Sequence, residues 1–132
     1  MSYLKTKLGD NLSEKVKNLS ISELLTNKKH PAMMVRAFVL TEIAFRADEN
    51  ENLWQIVEQE LQDRENRQTE LRGFLTVSMF VLGEITQMNQ TAAKPFSTKI
   101  LSSWTRKEKA DFADYFGQTI KQKSKQPELQ TV

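Results

Sequence analysis

The chain contains no cysteine and only one histidine, and it is poor in glycine and proline, with four and three respectively. The absence of cysteine excludes disulfides, thiolate nucleophiles and cysteine-type zinc sites, and it fits a reducing compartment. With His30 as the sole imidazole, two-histidine metal sites are excluded and a Ser-His-Asp set is conceivable around that position alone. Gly9, Gly73, Gly83 and Gly117 do not cluster, so neither a phosphate-binding loop nor a dinucleotide fingerprint can form. So few turn residues also argue against an all-β architecture. The most apolar stretch, Gly73 to Gly83, is about half the length of a membrane span and is bracketed by Arg72 and Glu84. The first residues, Met1 to Lys7, lack the apolar run of a signal peptide. The expectation is a cytoplasmic soluble protein with no membrane association, no cofactor, no bound metal and no catalytic residues.

Against these absences stands one positive feature. Phe38-Val39-Leu40-Thr41-Glu42-Ile43 recurs 42 residues later as Phe80-Val81-Leu82-Gly83-Glu84-Ile85. A period of that size is characteristic of stacked helical hairpins whose neighbouring units bury each other's apolar faces. With 132 residues the chain suits one domain, expected over 1–124, and residues 125–132 read as a disordered polar tail.

Helical spacing runs through most of the chain. Leu12, Val16 and Leu19 form one stripe, and Ser20 with Glu23 begins a capping box that breaks the first arm. Thr26 to His30 reads as a turn, and Pro31 suits the first position of a helix. Met33, Met34, Ala37, Phe38, Leu40, Ile43, Ala44 and Phe45 cover more than half the next helix, which is therefore expected to be enclosed. Asp48 with Glu51 can cap an acidic helix carrying Leu53, Trp54, Ile56, Val57 and Leu61. Asp63 to Gln68 reads as a second turn, and Thr69 as the cap of a long helix running to about Asn89. Phe96, Ile100, Leu101 and Trp104 follow, and Thr105 with Glu108 opens a last helix bearing Phe112, Tyr115, Phe116 and Ile120. The predicted class is all-α, with about six helices in three antiparallel pairs, either a stack or an irregular bundle. The core is expected to centre on Phe38, Leu40, Ile43, Phe74, Phe80, Leu82 and Ile85.

Paired as 11–47, 51–89 and 92–124, these elements resemble the HEAT-type helical repeat. Val35-Arg36 and Leu71-Arg72 resemble the aliphatic-Arg pair that opens the second helix of such a repeat. Leu82-Gly83 and Phe116-Gly117 resemble its closing pair, and Asn27 and Asp63 fall where the family often has a turn Asp. Aligning the arginines gives an offset of 36, whereas the repeated phrase gives 42. Both can hold only if the second inner helix is longer by about two turns. The resemblance implies a scaffold that binds a partner along a ridge or groove.

Three functions compete. Glu42 and Glu84 lie within apolar helices, and in one cavity they would form a carboxylate pair for acid–base work or a hard metal ion. The competing expectation is structural pairing, with Arg46 at i+4 from Glu42 and with Arg36 and Arg72 reaching between units. A basic C-terminal hairpin, about residues 92–125, carries Lys94, Lys99, Arg106, Lys107 and Lys109, which suits a nucleic-acid-binding accessory protein with Trp104 or Tyr115 for stacking. The third and leading expectation is a non-enzymatic interaction or regulatory module. Its acidic helix (Glu51, Glu58, Asp63) and basic hairpin would select another protein by charge, and a homodimer would cover residual apolar surface.

Overall fold

The computed structural model describes residues 12–116, apart from the side chains of Glu49 and Arg72. The expected tail and the end of the third hairpin, including Gly117, Ile120, Lys121, Lys123 and Lys125, lie outside the described residues. The fold is all-α, built from packed helices with one small β-hairpin inserted.

The first arm is broken where the capping signal lies. Helix α1 (Leu12–Lys17) and helix α2 (Ile21–Thr26) meet at Ser20, whose Oγ accepts from Glu23 N at 3.1 Å while Ser20 N donates to Glu23 Oε1 at 2.8 Å. In the following turn, His30 Nδ1 accepts from Ala32 N at 3.0 Å. Pro31 precedes the N-cap Ala32 instead of occupying the first helical position, and α3 spans Met33–Arg46. After a 3₁₀ turn (Ala47–Glu49), α4 covers Glu51–Gln62. Its cap is Asn50, whose Oδ1 accepts from Asn52 N at 3.1 Å, in place of the expected Asp48.

The next segment differs most from expectation. Asp63 to Gln68 is no open turn: Asp63 accepts from Glu65 N at 3.1 Å and starts a short helix, α5 (Arg64–Gln68). Thr69 opens no long helix. Strands β1 (Glu70–Arg72) and β2 (Leu75–Thr76) pair antiparallel, with Arg72 opposite Leu75. That leaves Gly73 and Phe74 as the loop, with Gly73 at φ 56° and no other described residue at positive φ. A positive first and a negative second loop residue is the type II′ pattern, which requires glycine at that first place. Helix α6 therefore begins at Val77, where Thr76 Oγ1 accepts from Met79 N at 3.2 Å, and ends at Thr86.

Helix α7 (Ala93–Ser102) and the helical residues 106–116 (α8) complete the chain. The Thr105–Glu108 capping box is formed in both directions, at 2.8 and 3.1 Å. Among the described residues no helix is long and apolar enough to cross a membrane.

The offset conflict resolves in favour of 42. Arg72 lies on a strand, so its alignment with Arg36 has no structural counterpart, and the second inner helix is shorter than α3, not longer. Helices α3 and α6 make the most extensive helix–helix contact. Leu40, Ile43, Leu82 and Ile85 are buried as expected, whereas Phe38 and Phe80 are half-buried and Phe74 is 39% exposed at the hairpin loop.

Candidate partner-binding groove

The two charged arms partly neutralise each other. Glu58 on α4 accepts from Lys99 on α7 at 3.2 Å, and Asp63 is committed to capping α5. Lys107 pairs with Asp111 at 2.7 Å. Glu51, Lys94, Arg106 and Lys109 are exposed and make no ion pair among the described residues. Trp104 is only 4% exposed and stacks edge-on against Phe112, so it offers no face to a nucleic-acid base.

A polar network joins α3 and the turn before it to α4 and α5. Arg36 is buried, and its guanidinium donates to His30 O (2.9 Å), Lys29 O (3.1 Å), Glu65 Oε1 (2.5 Å) and Asn66 Oδ1 (3.0 Å). Asn66 in turn donates to Glu60 O at 2.8 Å, and the buried Glu60 carboxylate accepts from Lys28 and Lys29, each at 3.0 Å. Arg36 thus reaches across to α5, to Glu65 and Asn66 and not to Glu42 or Glu84. The side chain of Arg72 lies outside the described residues.

Glu42 and Glu84 line one cavity. A groove of about 420 Å³ lies between α1, α3 and α6, floored by Phe38, Phe80 and Met88. Phe45 also lines it and is 60% exposed, on a helix most of whose other apolar residues are buried or half-buried. Glu42 Oε2 accepts from Arg46 Nε at 2.8 Å, and Arg46 also donates to Lys17 O at 2.7 Å, which ties the end of α1 to α3. Glu84 is half-buried and makes no ion pair or hydrogen bond through its carboxylate among the described residues. One of the two carboxylates is therefore held by arginine, and no cluster of three or more His, Asp or Glu suited to a metal ion occurs among the described residues.

A larger cleft, about 620 Å³, lies between α5, the hairpin and α8. Its charges are mostly committed, since Arg67 forms a two-point ion pair with Glu108 and Lys107 is held by Asp111. Burial pushes the Glu108 carboxyl up, but the Arg67 guanidinium and the Thr105 backbone N–H outweigh it and hold the pKa below the ordinary carboxylate value. Helix α8 is clamped to α5 here, and in this cleft only Arg64 and Glu70 make no ion pair among the described residues, both of them exposed, whereas the α1–α3–α6 groove holds the half-buried Glu84 without one.

The Glu42–Arg46 pair at i+4 is present as the sequence suggested, whereas Glu84 lacks the arginine expected for it, and Phe45, expected among the enclosed residues of its helix, lies at the surface. The signal was present: Phe45 falls one turn past Thr41 on α3, on the side where Glu42 and Arg46 make the helix polar. No family model matches this chain, and neither the curated proteins nor the solved structures gave a match to it.

Proposed function

We propose that this protein is a non-enzymatic protein-interaction module that receives a helical segment of another protein in the groove between α1, α3 and α6. The observation that carries the reading is Phe45, 60% exposed beside an apolar floor of Phe38, Phe80 and Met88. An exposed aromatic next to a concave apolar strip is the arrangement in which a partner's helix gains most from burial. The groove's 420 Å³ falls within the range of about 300–1,000 Å³ typical of ligand sites. The intramolecular pairing of Glu58 with Lys99 and of Lys107 with Asp111 favours this groove over the charged arms as the recognition surface.

Exposed Lys94, Arg106 and Lys109 are what favours a nucleic-acid reading, and the burial of Trp104 removes one of its two stacking candidates. The deciding experiment is selection of binders from a random peptide library displayed on phage. Enriched peptides should lose binding to Phe45→Ser while its circular dichroism stays unchanged. If no enriched peptide depends on Phe45, the reading fails. Salt-sensitive binding of mixed DNA or RNA in its place would support the alternative.

A further inference from the structure

Among the described side chains, the other carboxylates that are buried or half-buried each hold a cation or a helix cap. Glu42 has Arg46, Glu58 has Lys99, Glu60 has two lysines, Glu108 has Arg67, Asp111 has Lys107, and Asp63 caps α5. Glu84 is the exception, and the repeated phrase shows why. The residue at i+4 from Glu42 is Arg46, whereas the residue at i+4 from Glu84 is Met88. The second copy keeps the carboxylate and replaces its cation with an apolar side chain that floors the groove.

We infer that Glu84 sets the specificity of this groove by receiving a lysine or arginine from an amphipathic helix of the partner, whose leucine-type anchors cover Phe38, Phe45, Phe80 and Met88. The inference rests on the module reading above. A helix lying over the groove would strip water from Glu84, and an uncompensated carboxylate under an apolar cover is strongly penalised. A helix with a cation one turn from its apolar anchors removes that penalty and adds a charge-assisted hydrogen bond. Selectivity thus comes as much from rejecting neutral or acidic helices as from attracting basic ones. Lys17, on the α1 rim of the same groove, is the internal competitor; it makes no ion pair with Glu84. Its exposed, flexible stem makes it displaceable.

The test uses synthetic helical peptides with leucine at i, i+4 and i+7 and a guest residue at i+3, either lysine, norleucine or glutamate. Affinities for the full chain are read by fluorescence anisotropy. The lysine peptide should bind about 10- to 100-fold more tightly than the norleucine peptide, the span expected for one desolvated charge-assisted bond. Glu84→Gln should retain binding but lose the preference, and Glu84→Lys should transfer it to the glutamate peptide. Phe45→Ser should weaken all three alike. If binding depends on Phe45 but the guest residue has no effect, or Glu84→Gln keeps the preference, this inference is overturned and the module reading survives. If no peptide binding depends on Phe45, both fall. If light scattering shows the chain to be a dimer that Phe45→Ser dissociates, a second copy is the occupant and the inference is likewise overturned.

Discussion

Phe38 of α3 and Phe80 of α6 stack with ring centroids 5.8 Å apart and planes inclined by 12°. Each is the first residue of its copy of the repeated phrase. Beyond the other end of the phrase, Gln90 Nε2 donates to Phe45 O at 2.7 Å. Contacts in the same order along both segments mean that α3 and α6 run in the same direction, with Phe38 beside its equivalent Phe80. The groove follows from that registration, because Phe38 and Phe80, then Glu42 and Glu84, come to share one face. The two copies of the phrase differ at one position, Thr41 against Gly83, and the residue one turn beyond the glutamate is Arg46 in the first copy and Met88 in the second.

Gly83 is where α8 docks. A Cβ at this position would overlap the ring of Phe116. Alanine would gain about 1 kcal/mol of helix propensity, while overpacking a buried contact costs about 1–3 kcal/mol. Gly83→Ala should therefore lower the melting temperature of the wild-type chain. In a Phe116→Ala background the ring is gone and the sign should reverse, so that alanine stabilises. Thermal unfolding of the four chains in this cycle checks the coupling, and additivity would show that the close approach is unimportant.

Asn66 ties α3 to α4 from a fully buried position on α5. Removing its amide leaves Arg36 Nη1 with one partner fewer and takes from Glu60 O one of its donors, Asp63 N remaining at 3.2 Å. Asn66→Ala should cost about 2–4 kcal/mol, because buried polar groups lose their partners. Lys29→Ala removes an ion pair whose lysine side is largely exposed, and should cost under about 1 kcal/mol. Urea midpoints at constant slope measure both; equal effects would mean that the network adds nothing beyond its surface charges.

Gly73 tests the hairpin that replaces the expected helix. No atom lies within 4 Å of a Cβ built there, so any penalty for Gly73→Ala arises from its φ of 56° alone. The expected loss is about 1–2 kcal/mol. If alanine instead stabilises, residues 70–76 form a helix in solution and the Thr76 cap is not used.

The capping boxes at Ser20 and Thr105 and the Glu42–Arg46 pair were legible because each is decided within four residues. The hairpin was not legible, because Leu71, Phe74 and Leu75 happen to fall at helical spacing. Periodicity does not register that a glycine between them permits a turn. Asn66 was hidden in a polar run, since its burial depends on Arg36, 30 residues away. Phe45 read as core for a similar reason. Its neighbours along α3 are enclosed, and only the packing of α1 and α6 decides which edge of that helix stays open. Glu84 carried the clearest long-range signal, a repeated carboxylate whose arginine is missing from the second copy.

The Glu108 clamp makes stability depend on pH in a defined direction. Folding lowers the pKa of this carboxyl, so its contribution is fully present above the unfolded value, about 4.3, and is lost as pH falls through the folded value. Glu108→Gln isolates the charge, because glutamine at the third helical position can still complete the capping box with Thr105. Near neutral pH the wild type should be more stable than Glu108→Gln, and the difference should shrink below about pH 4.3 as protonation removes the ionic bond to Arg67. Urea unfolding of both chains from pH 7 to pH 3 measures the gap. A gap that stays constant, or widens in acid, would mean that the ionic pairing of Arg67 with Glu108 does not hold α8 against α5.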